Sequence, residues 1–244
     1  LDYGPGRNIG TPISGTLLFP NGTTYTILNG QVTRIRDRNG NILTLQYDGQ
    51  RRLQRTIDSI GREISIGYQS NLTTITEQAT GRTITLRKDA ITNLFRSGYS
   101  AQTGEQLFPN LVPPVTVRSL DPLAGGYALA FIEYPNGQIM RFRYNSYGEI
   151  ARIELPTGGA YEYDWANFQG GTIQLPQEYY TGISTFMVYR RVVERRVYNS
   201  GNALEQVQVF GTPLIDCNPA ASGYPKQCTT TVSVYFTDAT RTNN

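Results

Sequence analysis

At 244 residues the chain is long enough to bury the core of one large all-β domain or of two ordinary ones. Its net charge of +3 comes from 22 basic residues, 20 Arg and 2 Lys, interleaved with 19 acids, a balance that predicts no nucleic-acid partner. With no His and two Cys no metal or cofactor is expected, and the longest apolar run, YALAFI at 127–132, is far short of the roughly 20 residues a membrane span needs, so no membrane insertion is expected.

The chain starts at Leu1 without a charged-then-apolar leader, so a secretion signal is expected to have been removed or to lie outside this piece. Residues 1–16 read as a Gly- and Pro-rich N-terminal extension. The GPGRNIG at 4–10 is no phosphate loop, because its Gly spacing is wrong and no strand precedes it. From residue 17 a rhythm sets in. Gly22 is followed three, five and seven residues later by Tyr25, Ile27 and Asn29. Gly40 is followed by Leu43, Leu45 and Tyr47, Gly61 by Ile64, Ile66 and Tyr68, and Gly81 by Ile84, Leu86 and Lys88. The pattern resumes with Met140, Phe142 and Tyr144 after Gly137, and with Tyr161, Tyr163 and Trp165 after Gly158. Period-two alternation puts each set on one face of a strand, and the NG or TG before it supplies a turn that tolerates positive φ. Each period is then a β-hairpin, and such hairpins must stack on their neighbours to bury a face. The faces follow: Ile42, Thr44, Gln46, Glu63 and Ser65 should point away from the stripe.

The second half of each period resembles the YD repeat, Y-D-x-x-G-R-L-x-x-V-x-D-x-x-G, of the RHS family and of related toxin shells and teneurins. In 47–61 Tyr47, Asp48, Arg52, Leu53, Asp58 and Gly61 fall on the pattern, with Arg51 in place of its Gly. In 144–158 Tyr144, Gly148, Ile150, Ile153 and Gly158 match, with Asn145 in place of its Asp. Partial copies occupy 29–40 and 68–81. The resemblance implies tandem β-hairpin repeats forming a spiral or tube-like sheet whose wall carries the Tyr rings, over 17–88 and 127–170.

Residues 89–126 break the rhythm and read as a mostly irregular insertion, in which Asp89 is placed to cap one short helix. DPLAGG at 121–126 resembles the DPxG ending of an RHS core, but the acids of the associated self-cleavage site are missing, so no self-cleavage is expected. Residues 171–211 contain a long β-hairpin turning at NSGN, 199–202. Its Arg190, Arg191, Arg195 and Arg196 read as a solvated edge with Glu194 and Glu205 as partners rather than as a phosphate strip. Residues 212–244 comprise a loop bounded by Cys217 and Cys228 and a C-terminal strand around Val232, Val234 and Phe236. The two Cys read as a disulfide closing the loop, which favours an oxidising compartment. Asn21 and Asn71 head the two N-glycosylation sequons.

No paired carboxylates, nucleophile–base set or other catalytic constellation emerges. The sequence therefore predicts a non-enzymatic, secreted or cell-surface structural protein, a segment of a shell, tube or surface filament. It should associate with itself or with neighbouring repeats of a longer chain. Two alternatives stand beside it: a carbohydrate-binding module stacking glycans on Tyr161, Tyr163 and Trp165, and the encapsulating shell of a secreted toxin.

Overall fold

A computed structural model describes residues 12–107, 126–174, 186–211 and 232–236; Cys217, Cys228 and residues 121–125 lie outside the described residues. The protein is all-β, and its contacts divide it into two units, residues 1–87 with 133–137 and residues 88–132 with 138–244. The first unit is a meander of short antiparallel strands in chain order: β1 (Gly15–Leu18), β2 (Thr24–Leu28), β3 (Gln31–Arg36), β4 (Ile42–Tyr47), β5 (Leu53–Asp58), β6 (Glu63–Tyr68), β7 (Leu72–Glu77) and β8 (Thr83–Ala90). The second continues with a 3-10 turn at Ile91–Asn93, α1 (Gly104–Leu107), β9 (Tyr127–Glu133), β10 (Ile139–Tyr144), β11 (Ile150–Glu154), β12 (Ala160–Gln174), β13 (Phe186–Tyr198), β14 (Leu204–Phe210) and β15 (Val232–Phe236).

Register fixes the faces. Leu45 stands opposite Thr56, which stands opposite Ile64, so the β4 and β6 stripes share a face. On the other face Thr44, Ile57 and Glu63 form one row, and Gln46, Arg55 and Ser65 the next.

The turns explain the glycines. At 37–41 the Gly40 N–H donates to the Asp37 carbonyl, and the Asp37 N–H to that of Asn41. Such a type I turn with a bulge needs positive φ at its fourth residue. Gly22, Gly40, Gly61, Gly148 and Gly158 take that slot, and so do Arg51 at φ 65 and Asn202 at φ 60. Gly61→Ala should therefore destabilise by about 1–2 kcal/mol. Gly49→Ala should be neutral or stabilise by up to about 1 kcal/mol, since its φ is ordinary and its Cβ would meet open space. Urea melts of the two variants check this; equal effects would refute the turn assignment.

The buried residues lie elsewhere. No described residue of the first unit is fully buried. In the second, Ile91 and Leu94 pack with Ala130, Phe142 and Tyr144, flanked by Phe95, Met140, Ile150 and Ile153. The stretch expected to be mostly irregular thus supplies part of a core. Backbone bonds hold it there: Tyr144 N–H donates to the Leu94 carbonyl and Arg96 N–H to that of Tyr144. Asp89 does not cap the short helix. β8 runs on to Ala90, and the Asp89 carboxylate accepts from the Ala90 N–H and the Asn93 side chain instead.

Candidate functional site

Four hairpins carry the same anchor. The Tyr47 hydroxyl donates to the Val32 carbonyl (2.8 Å), Tyr68 to Leu53 (2.9 Å) and Tyr144 to Leu129 (2.9 Å), each fifteen residues back. In the Gly158 hairpin this falls to Trp165, two residues beyond Tyr163; its indole N–H donates to the Ile150 carbonyl at 2.8 Å. A half-buried ring needs somewhere to place its polar tip, and the preceding strand offers a carbonyl at a constant distance along the chain. Asn29 and Lys88, at the matching positions after Gly22 and Gly81, have no such ring. Burial pushes the Tyr144 hydroxyl pKa up.

A second recurring device sits in the turns. Asp48 Oδ1 accepts from the Gln50 and Arg52 N–H groups, Asp58 Oδ1 from Ile60 and Arg62, and Asp37 Oδ1 from Asn39 and Asn41. Asn145 and Asn199 make the same pair of bonds with an uncharged oxygen. The three carboxylates lie below their usual pKa: Asp37 chiefly through the Asn41 side chain, Asp48 through the Arg52 backbone N–H, Asp58 through the Arg62 side chain. Because the folded-state values are depressed, their contribution to stability is present above the unfolded carboxylate range and fades as pH falls below about 4. Replacing all three with Asn should keep the turns but remove this charge-dependent contribution, lowering the neutral-pH melting temperature modestly while leaving stability in acid nearly the same, so that the loss of stability in acid flattens. An unchanged acid slope in a pH series of thermal melts would refute it.

The densest cluster was not foreseen in the sequence. Glu162 on β12 accepts from Arg152 (2.7 Å), Arg196 (3.2 Å) and the Tyr198 hydroxyl (3.1 Å), with Arg96 at 3.6 Å. Asp164 binds Arg96 (2.6 Å) and Arg196 (2.7 Å), and Arg196 also pairs with Glu194. Burial pushes both Glu162 and Asp164 up, but the surrounding guanidinium groups outweigh it and hold both below the usual carboxylate range. Arg196 is pushed up in turn by its acids against the opposing effect of burial. Every charge here has a partner, which is what a brace needs; among the described residues there is no acid group of the kind that holds a metal.

This corrects the edge reading of the four arginines. β13 pairs with β12 on one side and β14 on the other. Arg190 binds Glu149 (2.8 Å) and lies over the Tyr147 ring, Arg191 donates to the Phe210 carbonyl, and Arg195 donates to Gln208 and covers the Tyr161 ring at 4.5 Å. Tyr161, Tyr163 and Trp165 alternate on β12, with Tyr163 opposite Arg195. Asn21 is exposed in the β1–β2 turn, where its Oδ1 accepts from Thr23; Asn71 is half-buried just before β7. An open cleft of about 450 Å³ lies between the Asp37 and Asp58 turns, lined in part by Ile35, Ile42, Leu43 and Ile60.

No curated protein matches the chain. Residues 28–63 match the RHS Repeat family. Solved structures similar to this chain include TcdB2-TccC3-Cdc42, at 14% identity and TM-score 0.31, over 89% of this chain and only 9% of that one. A porin-like protein from Bacteroides uniformis follows at 13% and 0.31, over 78% and 72%. The Photorhabdus luminescens Tc holotoxin pore follows at 13% and 0.20, over 90% and 14%.

Proposed function

With residues 28–63 carrying an RHS repeat, we propose that the entire hairpin array is a non-enzymatic wall segment of an RHS-type shell or tube. The observation that carries this is the ring-to-carbonyl anchor, repeated at the same fifteen-residue reach in four hairpins. A wall must hold a constant spacing between strands, and such a clamp sets it. The polar clusters favour the same reading: the carboxylates of the Asx turns and of the Glu162 lattice are already committed to N–H groups and guanidinium groups, a bracing rather than a catalytic arrangement. Negative-stain images of the full-length gene product should show a hollow particle or tube, and deleting residues 17–88 from it should open or shorten the wall. Solid, compact particles would overturn the proposal.

The wall is secreted or displayed at the cell surface, the compartment in which a Cys217–Cys228 disulfide persists. Closing that loop stabilises by about 3 kcal/mol through the unfolded state. Intact-mass measurement without reductant should find the protein two hydrogens lighter than its reduced form, and two alkylatable thiols would refute the bridge.

A further inference from the structure

We propose that the outer edge of β1 is a strand-pairing site for β1 of a second copy of this chain. All four residues of β1 are exposed, and Ile13, Leu17, Leu18 and Phe19 are all exposed large apolar residues, Leu18 at 72%. The stretch 13–19 contains no charge and is bracketed by Pro12 and Pro20. Edge strands are ordinarily guarded by charges, bulges or inserted prolines. Here the prolines limit the length of the strand and leave its middle open.

The hydrogen-bond phase shows which groups are available. Phe19 N–H donates to the Thr23 carbonyl, and Leu17 and Gly15 stand opposite Tyr25 and Ile27. Alternation then makes Leu17 and Gly15 the residues bonded to β2 and turns the N–H and C=O of Thr16 and Leu18 outward. Among the described residues nothing pairs with them. This edge is complementary to itself. A two-fold axis at Leu17 places Thr16 opposite Leu18 of the second copy and Leu18 opposite Thr16, so each pair exchanges two backbone bonds while the two Leu17 side chains meet across the axis. An uncharged strip facing its own copy meets no repulsion, which commits the site to a second copy. The proposal does not depend on the wall reading.

Sedimentation of the purified chain over a wide concentration range should show a reversible dimer. Leu17→Lys and Leu17→Glu put like charges on the axis, and each should weaken the dimer at least about tenfold. Mixing the two variants should restore it, a rescue that general damage to the hairpin cannot produce. Thr16→Pro removes an outward N–H without touching the β1–β2 ladder and should also abolish dimerisation with an unchanged melt. A wild-type chain that stays monomeric throughout would overturn the proposal; so would variants that dimerise unchanged, or a mixture that fails to recover. Protection of the Thr16 and Leu18 amides from exchange in a monomer would also overturn it, by showing that the chain covers its own edge. None of these outcomes bears on the particle seen for the full-length product, so the two proposals fail separately.

Discussion

Glu162→Gln should destabilise the second unit by about 3 kcal/mol. The substitution keeps the size and one acceptor oxygen but removes the charge that Arg96, Arg152 and Arg196 share, and its new amide N–H₂ faces guanidinium groups that cannot accept. The side chains of Glu162 and Arg96 are each 14% exposed, so water restores little of what is lost. Removing one partner from a poorly hydrated charge cluster costs several times what an open surface pair contributes. The comparison is available in the same chain: Arg62 pairs with Asp58 at 2.6 Å but is 73% exposed, and Arg62→Gln should change stability by less than about 1 kcal/mol. Urea denaturation of both variants at neutral pH decides the point. Equal, small effects would mean that the Glu162 lattice is decoration and not a brace.

Phe142→Ala should cost about 3–4 kcal/mol and should release the 91–107 segment to protease. Leu45→Ala should cost about 1–2 kcal/mol. The two residues occupy the same place in the repeat, five positions after Gly137 and Gly40. Phe142 is buried beneath Ile91 and Leu94, whereas Leu45 is only half-buried. The cost of truncation scales with the cavity left behind and with how far its walls can collapse, so the covered copy must be the more sensitive. Denaturant melts combined with limited proteolysis measure both effects. If the two truncations cost the same, the insertion contributes nothing to the core.

The repeat was legible in the sequence because its signals are local. A positive-φ slot favours glycine, here Gly22, Gly40, Gly61 and Gly158, and the alternation after each one fixes a strand and its face. Asp48 and Asp58 were visible as members of the repeat motif, and each carboxylate is satisfied within four residues of itself. Arg96 was not legible. It lies in an aperiodic stretch, and its partner Asp164 is 68 residues away, so no spacing links them. The β13 arginines were misplaced because charge alone cannot distinguish an edge strand from an inner one whose charges are paired across the ladder. Leu94 and Phe95 read as part of the insertion and its one short helix, because nothing nearby indicates that the chain there bridges to Tyr144.

The anchors also impose a rule of tolerance on the chain. Each one closes an odd-numbered strand onto the even-numbered strand that follows, and every connector inside such a pair is four or five residues long. Connectors after even-numbered strands obey no such limit: two residues separate β2 from β3, whereas β8 ends at Ala90 and β9 begins at Tyr127, β12 ends at Gln174 and β13 begins at Phe186, and β14 ends at Phe210 and β15 begins at Val232. An added residue at Asn39 would shift Tyr47 out of reach of Val32, while the same residue beside Gly49 would move one clamped pair relative to the next and leave both clamps closed. The array can therefore acquire new sequence at alternate seams only, and the segment that supplies Ile91, Leu94 and Arg96 sits at one of them.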